Sequence, residues 1–141
     1  EANAMKNYYP GDMYVDWLGV SCYPPSLSAT YPEERRYPLT LMQGIKQVSA
    51  DKPIMISEGG YSSTCDHQRW VREWFKLKDE EPRVKAVVWE NHENAENGDR
   101  RLQSDPLALE LYKELVQDPY WLDLIPDAVY SEIETRKNNS K

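Results

Sequence analysis

Three short apolar segments punctuate the chain, each followed by a polar stretch and then by a helix-like repeat of apolar positions. The first, Val15–Val20, reads VDWLGV and follows the turn signal Gly11-Asp12. The second, Pro53–Ser57, reads PIMIS, and the third, Val84–Trp89, reads VKAVVW. Near-continuous apolar runs of this length suit strands buried on both faces, as the strands of a parallel sheet are. After the first run, Leu41, Ile45 and Val48 share one helical face behind Pro38. After the second, Trp70, Val71, Trp74 and Phe75 form a stripe that the stem of Lys78 closes. After the third, Leu107, Ala108, Leu111, Tyr112, Leu115 and Val116 repeat the pattern. Asp105 is placed there as N-cap and Pro106 as first helical residue.

The predicted order is thus strand, helix three times over, with strands starting near residues 15, 54 and 84 and units of roughly 30–39 residues. A (β/α)8 barrel of about 250 residues averages about 31 per unit. A doubly wound sheet has the same alternation, but no glycine-rich phosphate loop follows any of the three runs. The reading is an α/β chain forming part of a TIM barrel, since three units make only a portion of one. Residues 118–141 read as a C-terminal extension: Asp118-Pro119 and Ile125-Pro126 break the helical pattern, Asp127–Arg136 could form a short last helix, and Lys137–Lys141 is polar.

Composition narrows the function classes. A net charge of −7 over 141 residues argues against a nucleic-acid surface. No apolar run approaches the roughly 20 residues that cross a bilayer, and no secretory signal opens the chain. Five Trp and ten Tyr against one Phe give flat rings with polar handles, which suit sugar rings as well as a core. Cys22 and Cys65 are too few for structural zinc; they form one disulfide or stay as two thiols.

In parallel barrels the working residues project from the C-terminal strand ends and the loops beyond. Here those ends are Ser21-Cys22-Tyr23-Pro24-Pro25, Ser57-Glu58-Gly59-Gly60-Tyr61 and Trp89-Glu90-Asn91-His92-Glu93-Asn94. Glu58 stands at the mouth of a buried strand, and Gly59-Gly60 would turn the backbone away and open the approach to its carboxylate. It is either a nucleophile, as a retaining glycosidase requires, or a carboxylate that caps a helix or pairs with an arginine. Tyr23 could donate its hydroxyl to Glu58, hold its orientation and help keep it ionised, or simply pack beside Pro24. Trp89 is a sugar platform or a core residue, and Tyr61 and Asn91 are further candidates for substrate contact. Glu90, His92 and Glu93 have no metal-ligand spacing and read mainly as loop polarity. Asp99 with Arg100-Arg101 reads as a local ion pair or loop anchor. Neither His67 nor His92 follows a nucleophile elbow.

These residues carry a family resemblance. Tyr9 to Val20, YPGDMYVDWLGV, resembles the segment entering the sixth strand of family 26 glycoside hydrolases, which include β-mannanases of the large clan of retaining barrel glycosidases. Lys52–Glu58 resembles that family's seventh strand, Val84–Trp89 its eighth, and Asp99-Arg100 through Asp105-Pro106 its run into the final helix. The resemblance runs from about Tyr8 to Val116 and implies the C-terminal portion, strands six to eight with their helices. It implies Glu58 as nucleophile, Tyr23 as its hydrogen-bond partner, Trp89 as a sugar platform, and no metal or organic cofactor. It implies a β-linked polysaccharide substrate, β-mannan first, and a secreted parent protein. The family's acid/base Glu ends the fourth strand and has no counterpart here, so the chain alone is expected to be inactive. Its open edges would take up the missing N-terminal part or another copy of the chain. Gly59-Gly60 where Phe-Gly is common, and Cys22-Tyr23-Pro24-Pro25 after strand six, depart from the pattern at the substrate rim. The competing readings are a non-catalytic carbohydrate-binding remnant and an interaction fragment. Cys22 and Cys65, in loops after neighbouring strands, share one face of the expected barrel, where a disulfide is conceivable.

Overall fold

Each apolar run forms a strand, and the three lie side by side and parallel in a computed structural model that describes residues 4–24, 38–62, 65–94 and 98–121. The element order is β1 (Leu18–Cys22), α1 (Leu39–Lys46), β2 (Ile54–Gly59), α2 (His67–Glu80), β3 (Val84–Val87), then α3 (Pro106–Leu115). The sheet order β1-β2-β3 follows the sequence. Parallel neighbours demand a crossover, and α1 and α2 supply it. The Asp127–Arg136 helix, the polar end, Pro25 and most of the 118–141 extension lie outside the described residues.

The first strand begins later than its apolar run suggests. Gly11, at φ +110°, opens a turn closed by Tyr14 N–H donating to the Gly11 carbonyl at 3.0 Å. The Tyr9 hydroxyl ties Asp12 into the same turn at 2.5 Å. The ladder starts only where Leu18 N–H reaches the Pro53 carbonyl at 2.9 Å, so Val15 and Trp17 stay outside it. Trp17 is 45% exposed.

Ile54, Ile56 and Val84 are wholly buried, and α2 covers them with Trp70, Val71, Trp74, Phe75 and Leu77. This is the predicted stripe, and Lys78 lays its stem beside it while Nζ reaches Asp79 at 2.8 Å and Asp118 at 3.1 Å. Tyr112 of α3 meets Phe75 edge-on, with ring centroids 5.1 Å apart. Of the α3 stripe, Leu107 departs from expectation at 66% exposed, because the helix docks through Ala108, Tyr112 and Leu115 and leaves its first turn proud. At the opposite end of the sheet, Arg83 holds buried Glu81 at 3.0 Å and donates to the Ser49 carbonyl at 2.6 Å, locking the entries to β2 and β3 together.

Asp105 is the cap the sequence predicts. One carboxylate oxygen accepts from Leu107 N–H at 3.0 Å and Ala108 N–H at 3.1 Å. The other meets His67 Nδ1 at 3.1 Å, joining α2 to α3. The Ala108 N–H, and after it His67, holds this carboxyl below its ordinary 3.8. A group depressed in the folded state stabilises in full above its unfolded value and loses that contribution as pH falls through the folded one. Asp105→Ala is therefore expected to cost about 1–2 kcal/mol at pH 7 in a urea melt, a difference that shrinks below about pH 4. An equal cost at pH 7 and pH 3 would remove the carboxylate from the account.

Beyond β3 the chain makes a feature that sequence patterning misses. Two-residue strands β4 (Glu93–Asn94) and β5 (Gly98–Asp99) pair antiparallel, with Gly98 at φ +88°. Arg100 N–H then donates to the His92 carbonyl at 3.1 Å. This small hairpin folds Arg100 back over the end of β3.

Candidate active site

Glu58 reaches the surface because the ladder slips. Ile54 and Ile56 are buried and alternate, so regular pleating would carry Glu58 to the same buried side. Instead Val20 pairs with Ile56 but Ser21 pairs with Glu58, leaving Ser57 as the extra residue of a bulge. The burial pattern along β2 changes from alternation to two exposed residues, Ser57 and Glu58, before buried Gly59. The slip thus turns a carboxylate outward at the C-terminal end of a parallel strand.

Gly59 has a different reason to be glycine from the one its sequence position suggests. A Cβ there would lie 2.1 Å from Cη2 of Trp74 and 2.3 Å from the Cys22 carbonyl oxygen. The residue still belongs to the strand; it lets the buried Trp74 ring and the β1 backbone close against β2 directly beneath Glu58. Gly60 is less confined, its nearest such contact being the Glu90 carbonyl oxygen at 3.4 Å.

Around this point the strand ends and the hairpin bring six polar side chains together. Ser21 Oγ donates to Glu58 Oε2 at 3.2 Å. The Tyr23 hydroxyl donates to Glu90 Oε2 at 2.7 Å. The hydroxyl expected to face Glu58 thus also reaches Glu90, and Ser21 is a side-chain donor to Glu58. Glu58 lies close enough to the same hydroxyl that, after burial, it is the main reason the Tyr23 pKa is pushed up to about 12. Arg100, only 8% exposed, pairs through Nη1 with Glu90 Oε2, and its guanidinium carbon sits 4.2 Å from the centre of the Tyr23 ring. His92 Nε2 takes the other Glu90 oxygen at 3.2 Å. Glu90 N–H donates to the Gly59 carbonyl at 2.7 Å, which fixes the whole cluster to β2.

The other expected contact residues fare unevenly. Tyr61 has no exposed surface; it stacks on His67 with centroids 3.9 Å apart and donates to the Arg101 carbonyl at 2.6 Å. Substrate contact is corrected to a packing role, because a buried ring offers a sugar nothing. Trp89 is half-buried, donates Nε1–H to the Arg100 carbonyl at 3.0 Å, and meets Tyr61, Trp74 and Tyr112 at 5.2, 5.5 and 5.7 Å. Three edge contacts make it the bridge between the site and the core. Asn91 is exposed, but its carbonyl oxygen accepts from Leu102 N–H at 2.8 Å and so anchors the loop after β5. Asp99 and Arg101 form the foreseen local pair, with Nη2 to Oδ2 at 2.7 Å, which takes the Asp99 carboxyl down to about 2. Glu93 leans on Arg101 at 3.4 Å. Among the described residues no three His, Cys, Asp or Glu side chains converge on a metal-sized site.

Cys22 and Cys65 are separate thiols. Burial pushes Cys22 up to about 12, so it is no thiolate nucleophile at neutral pH. Sequence reasoning named Ser21 only as a member of a strand-end run and read Glu90 mainly as loop polarity. The available signal for Ser21 was its place opposite Glu58 across a parallel pair.

The elements thus define a parallel α/β sheet with carboxylates gathered at its C-terminal edge. No family model matches the chain. A stretch of 113 residues, 77% of the chain, is 29% identical to Endoglucanase H of Acetivibrio thermocellus and spans 12% of that protein's length. This is a distant, partial likeness to a glycoside hydrolase.

Proposed function

We propose that this chain is the C-terminal portion of a (β/α)8-barrel glycoside hydrolase of the family 26 kind, acting on a β-linked polysaccharide with retention of configuration. Glu58 is the nucleophile. The observation that carries the reading is its exposure by the β2 bulge at the C-terminal end of a parallel strand, with the Ser21 hydroxyl bonded to it and the Tyr23 hydroxyl beside it. The likeness to an endoglucanase over most of the chain supports it. Attack by Glu58 on the anomeric carbon displaces the leaving sugar and forms a glycosyl ester. An acid/base carboxylate from the upstream part of the parent protein protonates the leaving oxygen and then draws a proton from water, which cleaves the ester.

The open edge of the sheet supports a seat for that upstream part beside β1. β1 has no strand on its outer side among the described residues. Beside it runs a groove of about 480 Å³ lined by Met5, Tyr8, Trp17, Leu18, Leu41 and Ile45 among others. Tyr8 is 72% and Met13 94% exposed. An open parallel edge next to an apolar groove is what the preceding strand and helix of a barrel would cover. Expressed alone, the 141-residue chain is expected to self-associate and to hydrolyse nothing. A monodisperse monomer by light scattering, with a cooperative melt and measurable hydrolysis, contradicts this.

The function itself is tested by giving the parent protein mixed-linkage β-glucan and β-mannan and following the anomeric configuration of the first product by NMR. Release of β-configured ends from either polymer supports the reading, and the faster polymer names the substrate. Binding without release, or α-configured ends, removes it in favour of a carbohydrate-binding remnant or an inverting enzyme.

A further inference from the structure

Tyr23 has one hydroxyl proton and two carboxylates within its reach, and in this structure the proton faces Glu90 at 2.7 Å. Glu90 is not a stray loop charge. It is 12% exposed in its side chain, pinned by Arg100 and His92, and tied through its own N–H to the Gly59 carbonyl next to the Glu58 residue. Arg100 grips both members: it pairs with the Glu90 carboxylate and lays its guanidinium on the Tyr23 ring. A cation on the ring face and an acceptor at the hydroxyl hold the Tyr23 ring in place and leave only the O–H bond free to turn.

Resting on the assignment of Glu58 as nucleophile, we propose that Glu90 is a positioning residue that holds the Tyr23 hydroxyl proton away from Glu58 until Glu58 must leave the sugar. A carboxylate that accepts a strong hydrogen bond is a weaker nucleophile, and the same bond makes it a better leaving group. With its hydroxyl directed at Glu90, Tyr23 leaves Glu58 free to attack. Once Glu58 is esterified it has no charge to draw the hydroxyl, which stays directed at Glu90. When water cleaves the ester and the C–O bond electrons return to Glu58, the hydroxyl turns to the departing carboxylate and swings back to Glu90 once the sugar has left. Tyr23 keeps its proton throughout; only its direction changes. Arg100 balances the exchange by neutralising Glu90, so that Glu90 attracts the proton without trapping it. His92, 56% exposed in its side chain and paired with Glu90, and Ser21, bonded to Glu58, are further groups around the pair among the described residues.

Glu90→Gln in the parent protein keeps the shape and removes the charge. The Tyr23 proton then passes to Glu58, while Arg100 loses its counter-ion; both changes favour ionised Glu58. The acid limb of kcat/KM is expected to move down by about one pH unit, and kcat/KM at its plateau to fall by about tenfold. In a Tyr23→Phe background the same substitution is expected to cost less than about twofold, because no proton is left to redirect. A loss that leaves the acid limb in place, or that multiplies with the Tyr23→Phe loss, overturns the proposal and makes Glu90 a structural ion partner. Should Glu90→Gln not fold, Glu90→Asp runs the same cycle. Shortening the side chain withdraws the carboxylate from Tyr23 while keeping its charge, so its loss in kcat/KM must likewise vanish on Tyr23→Phe. Glu58→Ala measured alongside separates the two claims: activity surviving in Glu58→Ala sinks the nucleophile and this inference together, whereas an inactive Glu58→Ala with an unmoved acid limb sinks only the role of Glu90.

Discussion

Gly59→Ala is expected to destabilise the parent protein by about 3 kcal/mol or more, at the upper end of what overpacking costs. The added methyl would sit 2.1 and 2.4 Å from two carbons of the Trp74 ring and 2.3 Å from the Cys22 carbonyl oxygen. None of these can give way cheaply. Trp74 has no exposed surface and is wedged between Trp70 and Trp89, with centroids 6.2 and 5.5 Å away. The Cys22 carbonyl belongs to the backbone of a paired strand. Relief must come from separating β1 from β2 or from tilting α2, and either moves Glu58. Urea melts of Gly59→Ala and Gly60→Ala side by side check this, because a Cβ at Gly60 meets nothing closer than 3.4 Å and should cost under about 1 kcal/mol. Trp74→Leu, damaging on its own, should recover part of the Gly59→Ala loss by making room. Equal costs at the two glycines would show that the close packing beneath the site is not what requires Gly59.

Glu58→Ala is expected to do the opposite: to leave stability nearly untouched and remove catalysis. The side chain is exposed and held by one 3.2 Å hydrogen bond, so its loss should change the melt by no more than about 0.5 kcal/mol. Its loss as nucleophile should lower kcat by at least about 10⁴-fold, since the remaining groups cannot form the covalent intermediate. Stability and activity measured on one preparation separate this from unfolding. A variant that melts like the wild type and still turns over within tenfold contradicts the assignment.

The parts of this fold that were legible in the sequence are those set by a local period. The α2 stripe from Trp70 to Lys78 and the Asp105-Pro106 helix start follow from helix geometry and capping, which neighbouring residues decide by themselves. The start of β1 was less legible. Val15 and Trp17 are as apolar as a strand requires, yet the Gly11 turn keeps them off the ladder. The β4–β5 hairpin has no apolar alternation at all, being Glu93-Asn94 against Gly98-Asp99.

For the site, the position of Glu58 could be read from the strand-end rule, but its exposure could not. Alternation from Ile54 and Ile56 points it inward, and only a slip in pairing with β1, a relation between residues 37 positions apart, turns it out. Tyr61 was misread for the reverse reason. It follows the site closely in the chain, yet the loop carries it under Trp89 and His67. Glu90 and Arg100 are ten residues apart and meet only because the hairpin between them folds back. Side-chain partners that meet only through such a pairing are invisible until the chain is folded.

The most direct test is to trap the intermediate. The parent protein is incubated with 2-deoxy-2-fluoro β-glucosyl and β-mannosyl donors carrying a good leaving group, which slow the hydrolysis of a glycosyl ester, and is then digested and mapped by mass spectrometry. The account predicts one added fluorosugar on the peptide containing Glu58, and none in Glu58→Ala. A label on another carboxylate, or turnover with no covalent adduct, contradicts it.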